Sequence, residues 1–70
     1  MAGEVKSAIE ATKIAKEYVG KYKFFIRPLK AVREDDMWFV DLDVGGFNTV
    51  IAKVKIDAKS GEIVEYNIPD

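Results

Sequence analysis

The sequence contains no cysteine and no histidine, and these two absences exclude much of the chemistry that small proteins use. The chain forms no disulfide, offers no thiolate to a metal, and lacks the commonest metal ligand and the usual general base. We therefore expect no metal, no cofactor, no catalytic residue and no small-molecule substrate. With 70 residues the chain forms one domain, residues 1–70, of small stability margin, so self-association is the stabilising device that remains.

Long hydrophobic runs are also missing. No stretch approaches the ~20 apolar residues that span a membrane, and residues 1–19 contain no unbroken apolar core of the kind that a secretory signal has. We therefore expect a cytoplasmic protein with no membrane partner. A content of 49% hydrophobic and 33% charged residues is typical of a globular domain rather than a disordered chain.

The net charge of −1 hides an asymmetry between the two halves of the chain. Residues 1–33 hold eight Lys or Arg and three Glu, whereas residues 34–70 hold three Lys and nine Asp or Glu. The difference indicates either a basic half that binds a partner or two halves that neutralise each other in the fold. We favour neutralisation, because adjacent strands place opposite charges side by side.

One amphipathic helix is predicted from about Ala8 to Val19, and a start nearer Gly3 is the alternative. Ser7 and Glu10 match a capping box, in which each side chain satisfies a backbone N–H near the start of the helix. The apolar residues follow the helical period, and the charged residues lie on the other side. Gly20 is predicted to end the helix, because glycine tolerates the left-handed conformation that often follows a last turn.

Four strands are predicted to follow the helix, at residues 22–32, 37–44, 49–57 and 62–68. Apolar residues fall on every second position of these segments, most clearly between Trp38 and Ile56, and turn residues interrupt the pattern. The fold class is therefore α+β, with one N-terminal helix packed on a four-stranded antiparallel meander in order 1-2-3-4. Pro28 cannot donate to a ladder, which predicts an edge position and a bulge for the first strand.

The helix should cover one face of the sheet, because an apolar face left in water is costly. The predicted residues of that face are Tyr22, Phe24, Ile26, Trp38, Val40, Leu42, Val50, Ala52, Val54, Ile56, Val64 and Tyr66.

Four large apolar side chains stand among charges on the other face, namely Phe25, Phe39, Ile51 and Ile63. A contiguous apolar patch on a small domain usually marks an interface, although scattered surface hydrophobes are also normal. We predict that the patch binds another protein or a second copy in a homodimer; pairing through the edge strand 62–68 is the other route.

The carboxylates of Asp41 and Asp43 lie on one strand face, where they could bind a hard cation. Lys53 and Lys55 lie on the same face of the next strand, so we predict cross-strand ion pairs instead. Residues 34–36 are acidic but lack the spacing of a calcium loop, which predicts a solvated turn.

Two other motifs also have a structural explanation. Gly45 and Gly46 precede a strand rather than a helix, which predicts a hairpin turn and not a phosphate cradle. Residues 21–33 interleave basic and aromatic side chains, a pattern that binds single-stranded nucleic acid. We keep nucleic-acid binding as the alternative function, disfavoured because Tyr22 and Phe24 are needed for the core and the isoelectric point is about 5.4.

A family resemblance rests on the strand Trp38-x-Val40-x-Leu42 and on the hairpin of residues 54–63, VKIDAKSGEI. Together with the preceding alanine-rich helix, these motifs resemble PepSY-type domains, although Ser60 stands where that pattern favours threonine. The resemblance implies a non-catalytic module, often secreted or membrane-attached and linked to the regulation of peptidases. It supplies no catalytic residue.

Overall fold

The computed structural model describes residues 3–69, which fold as one helix on one sheet. Helix α1 is Ala8–Val19, and strands β1 to β4 are Arg27–Glu34, Met37–Asp43, Ile51–Asp57 and Ile63–Asn67. The strands form an antiparallel sheet in order β1-β2-β3-β4, and α1 packs mainly over β1 and β2. The predicted α+β meander is confirmed.

The two ends of α1 are held by different means. The Ser7 hydroxyl oxygen accepts a hydrogen bond from the Glu10 N–H at 3.2 Å, and the Glu10 carboxylate accepts one from the Lys6 N–H at 3.0 Å. The capping box is therefore formed, with the glutamate reaching the residue before the cap. Gly20 ends the helix as predicted, but it is right-handed rather than left-handed, with φ −60°, and its N–H donates to the Lys16 carbonyl.

The core lies between α1 and the helix-covered face of the sheet. Its helical residues are Ala11, Ala15 and Val19, and its sheet residues are Trp38, Val40, Leu42, Ala52, Val54 and Ile56. The sequence predicts all six sheet residues, because the alternation in β2 and β3 is unbroken. Burial of each Val, Leu or Ile side chain contributes roughly 1.5–3 kcal/mol.

Val5 belongs to the core although it precedes the helix, and the sequence does not predict this. Its side chain is buried, and its N–H donates to the Ala58 carbonyl at 2.7 Å. Its own carbonyl accepts a hydrogen bond of 2.9 Å from the buried Trp38 Nε1. The N-terminal segment is therefore joined to β2 and to the turn that follows β3.

The first strand begins at Arg27, five residues later than predicted. The reason is that the chain continues to turn after α1: the N–H groups of Tyr22 and Lys23 both donate to the Val19 carbonyl, at 2.9 and 3.0 Å. Residues 20–26 are thus a loop, and the prediction that Tyr22 and Phe24 cover the core is wrong, since both are exposed.

Both edge strands contain a bulge. In β1 the register shifts between Pro28 and Lys30, as the proline predicts. In β4 the register shifts where Lys55 pairs with Glu65 and the next residue of β3 pairs with Ile63. Val64 is the extra residue, and it is half exposed rather than buried as predicted.

The two predicted hairpin turns that contain glycine are also formed. Gly46, between β2 and β3, has φ 73°, and Gly61, between β3 and β4, has φ 79°. Side chains with a Cβ rarely adopt this left-handed conformation, which explains glycine at both positions. An acidic turn joins β1 to β2 as predicted, but it consists of residues 35–36 because Glu34 is the last residue of β1.

Candidate functional site on the helix-free sheet face

The candidate site is the helix-free face, the side of the sheet opposite to α1. Cross-strand partners point to the same side of a sheet, so the register defines four rows across this face. The rows are Arg27–Asp43–Ile51, Lys30–Asp41–Lys53–Asn67, Val32–Phe39–Lys55–Glu65 and Glu34–Met37–Asp57. Every row contains charged side chains, and no row is wholly apolar.

Phe39 is the predicted interface residue that the structure places at the centre of this face. It lies opposite Val32 of β1 and Lys55 of β3. The Lys55 Nζ lies 5.5 Å from the centre of the Phe39 ring, within the range of a cation–π interaction. Phe39 and Val32 nevertheless remain 37% and 43% exposed, and together they form an apolar pair that water reaches.

The other three predicted interface residues lie in different places. Ile51 is half-buried at the start of β3, on the helix-free face and opposite Asp43. Phe25 lies in the loop before β1 and not on the sheet. Ile63 pairs with Ile56 and packs against the core, on the helix-covered side.

The prediction that Ile63 lies on the helix-free face is therefore wrong. Val64 is an extra residue in β4. The part of the strand before it therefore points to the opposite face of the sheet from the one that regular alternation predicts. Val32 of β1 replaces Ile63 in the apolar patch. The bulge in β1 interrupts the alternation of this strand, so the sequence does not predict that Val32 lies opposite Phe39.

The ion pairs of this face differ from those predicted. Asp41 lies 3.9 Å from Lys30, and Asp43 lies 3.2 Å from Arg27, so both carboxylates pair with β1. Lys53 is the cross-strand partner of Asp41 on β3, but it forms no ion pair among residues 3–69. The Lys30–Asp41 pair, whose lysine is mostly exposed, contributes about 0–1 kcal/mol.

Asp43 is buried, and it joins the bases of two loops. Its Oδ1 accepts hydrogen bonds from the N–H groups of Gly45 and Val50, at 3.0 and 3.3 Å, and its Oδ2 accepts one from Arg27. The hydrogen bond from Gly45 lowers the pKa of Asp43 and outweighs the opposing effect of burial; Val50 and Arg27 lower it further. This carboxylate is occupied in supporting loop structure.

Three tyrosines form a cluster where α1 meets β4. The Tyr18 ring contacts those of Tyr22 and Tyr66 edge-on, with centroids 5.9 and 5.1 Å apart. Burial raises the pKa of the Tyr66 hydroxyl, and the two neighbouring tyrosines raise it further. The cluster anchors the end of the helix and presents no charged group to a ligand.

Open depressions lie on both sides of the sheet. One, of about 560 Å³, is a groove between α1 and β1 lined mainly by aliphatic groups and exposed lysines. A smaller one, of about 370 Å³, lies beside Phe39 on the helix-free face. Within residues 3–69, no three carboxylates are close enough together to hold a metal ion.

Comparison with known proteins finds no matching family model, no similar curated protein and no similar solved structure. The resemblance to PepSY-type domains thus stays a prediction from the sequence motifs. Across residues 3–69 the chain has no helix that is both long and apolar enough to cross a membrane.

Proposed function

We propose that the protein is a non-catalytic binding module that associates with a second copy of itself through the helix-free face. The observation that carries this proposal is the exposed apolar pair of Val32 and Phe39, adjacent across two strands. A protein contact that covers this apolar surface removes it from water, and this removal stabilises the contact.

Charge complementarity favours a second copy as the partner. A two-fold interface places the same patch on both sides, so the patch must complement itself. The row of the apolar pair also contains Lys55 and Glu65, and the two neighbouring rows contain Lys53 and Glu34. Rotation about a two-fold axis can therefore bring opposite charges together around the apolar centre.

The composition also supports self-association over catalysis. The chain has no disulfide or histidine, and its buried carboxylate, Asp43, is already hydrogen-bonded to two backbone N–H groups and to Arg27. A dimer would add buried surface to a domain that is too short for a large core.

The alternative of nucleic-acid binding through residues 21–33 has less support. Two of its cations, Arg27 and Lys30, are paired with Asp43 and Asp41. Before β1, Lys21 and Lys23 form no ion pair with any of residues 3–69, and two charges are a short track for a phosphate backbone.

Sedimentation velocity over a range of protein concentrations tests the proposal. We expect the unmodified chain to dimerise and Phe39→Asp to remain monomeric with an unchanged melting temperature. Ile9→Asp is the matched control, because Ile9 is 81% exposed on the helix, away from the helix-free face, and should leave the dimer intact. A monomer at the highest concentration, or a dimer that tolerates Phe39→Asp, would contradict self-association through this face.

A further inference from the structure

The two ends of the sheet differ in charge and in exposed apolar surface. The loop of residues 20–26 precedes Arg27, and the loop of residues 44–50 follows Asp43; because Arg27 pairs with Asp43, both loops lie at the same end. We call this the loop end. The opposite end contains the turns between β1 and β2 and between β3 and β4.

The loop end exposes two phenylalanines completely. Phe24 in the first loop and Phe47 in the second have relative exposures of 110% and 104%. Single exposed hydrophobes are normal in soluble proteins. Two rings projecting fully into water from separate loops at one end expose more apolar surface than folding alone explains.

The two loops of the loop end carry only positive charge. Lys21 and Lys23 flank the first loop's aromatic residues, and neither 20–26 nor 44–50 contains an acidic residue. Acidic residues concentrate at the opposite end, in the turn at 35–36 and around Asp57 and Glu62. The asymmetry between the two halves of the sequence is therefore partly an asymmetry between two ends of the molecule.

We propose that the loop end docks on the surface of a bilayer that contains anionic phospholipids, with Phe24 and Phe47 inserted into the interface. Aromatic rings enter the boundary between headgroups and acyl chains, while Lys21 and Lys23 are attracted to the negative surface. A fluid bilayer accepts isolated projecting rings without shaped holes, whereas a protein partner must supply a pocket for each ring.

Asp43 holds the two phenylalanine-bearing loops in one arrangement. Its hydrogen bonds to Arg27, Gly45 and Val50 fasten the bases of both loops to the same carboxylate. The rings can therefore insert together. Docking of this kind is separate from the helix-free face, so it can succeed or fail independently of the proposed dimer.

Cosedimentation with vesicles of phosphatidylcholine, with and without phosphatidylserine, tests the proposal. We expect binding that requires phosphatidylserine and weakens as salt is raised. The double variant Phe24→Ser with Phe47→Ser should bind about tenfold more weakly or worse, since each ring loses its burial. Lys21→Glu with Lys23→Glu should abolish the preference for phosphatidylserine.

Matched controls use residues away from the loop end. Ile9→Ser removes an exposed apolar side chain and Lys6→Glu reverses an exposed charge near the helix start, and neither should change vesicle binding. Phe47→Trp supplies a fluorescent reporter whose emission should shift to the blue on vesicles, because the natural Trp38 is buried and contributes a constant background. Circular dichroism confirms that each variant is folded.

Three results would overturn the proposal. The first is a failure of the unmodified protein to bind phosphatidylserine vesicles even at low salt. The second is equal vesicle binding by the double phenylalanine variant. The third is salt-dependent binding of a single-stranded oligonucleotide that requires Phe24 while vesicles do not compete, which would assign the loop end to nucleic acid.

Discussion

The carboxylate of Asp43 binds the guanidinium of Arg27, with 3.2 Å between Oδ2 and Nη2, across the first residue pair of the β1–β2 ladder. The arginine is mostly exposed, whereas the carboxylate is buried and also accepts two backbone hydrogen bonds from the following loop. The pair therefore connects the start of the sheet to the loop between β2 and β3, and Asp43 is the structural centre of the loop end.

This arrangement predicts how stability depends on pH. The pKa of Asp43 in the folded protein lies below its ordinary value of 3.8, so the unfolded chain takes up the proton first as the pH falls. The contribution of the ionised carboxylate is complete above about pH 5 and is lost as the pH falls through 3.8 and then through the lowered folded pKa. Urea denaturation between neutral pH and pH 2 should show this loss.

Asp43→Asn is the matching variant. An amide keeps the shape but loses the charge and presents an N–H₂ group to one of its donors, so we expect a lower melting temperature at pH 7 and a flatter profile below pH 4. Asp35→Asn in the exposed turn is the control and should change neither quantity. A variant profile identical to that of the unmodified protein would show that Asp43 does not hold the loop.

The bulge in β4 predicts opposite results for two adjacent residues. Ile63 packs against the core, so Ile63→Ala should lower the free energy of unfolding by about 1–3 kcal/mol. Val64 is the half-exposed extra residue, so Val64→Ala should change it by less than about 0.5 kcal/mol. Chemical denaturation measures both. Equal costs, or a larger cost at Val64, would mean that β4 has the unbulged register.

Trp38→Phe isolates the hydrogen bond to the N-terminal segment. Phenylalanine retains most of the buried ring but leaves the Val5 carbonyl without its donor, which should cost about 1–3 kcal/mol. Amide exchange is the sharper measurement. In the unmodified protein the Val5 N–H donates to the Ala58 carbonyl, and it should exchange much faster in the variant. The amides of Val40 and Leu42, within the central strand, serve as the internal control. Unchanged protection at Val5 would contradict the predicted release of the segment.

The sequence predicts the parts of the fold in which local pattern and tertiary environment agree. In β2 and β3 every second residue is apolar, both strands are central, and neither contains a bulge, so the faces follow directly from the alternation. The same holds for α1, whose cap residues and apolar period fall on one segment. These elements place Phe39 and Ile51 correctly on the helix-free face.

The alternation of apolar residues predicts the wrong element or face where the chain contains a turn or an extra residue that the sequence does not reveal. Tyr22, Phe24 and Ile26 keep a period of two, yet the chain before β1 is a loop because two N–H groups still bond to the end of α1. Ile63 has the parity of the helix-free face, yet the bulge at Val64 returns it to the core. Each error has one local cause that side-chain periodicity does not encode.

Long-range contacts account for the remaining misses. Val5 lies outside any periodic segment, and its carbonyl is bound by Trp38, which is 33 residues away in the sequence. The cations that pair with Asp41 and Asp43 come from β1, whose register is displaced by its bulge, rather than from the regular strand β3. The lysines of β3, which are the nearest cations in the predicted sheet, are therefore not the ion-pair partners of these two carboxylates.

The two bulges have a consequence for how the molecule avoids uncontrolled polymerisation. The free backbone edges of the sheet belong to β1 and β4, and an uninterrupted edge is a template on which further chains add strand by strand. Pro28 lacks a donor and the chain is displaced beside it, while β4 is only five residues long and is displaced at Val64. Neither edge offers a long regular ladder, so growth into fibres is disfavoured even at the concentrations at which specific contacts form.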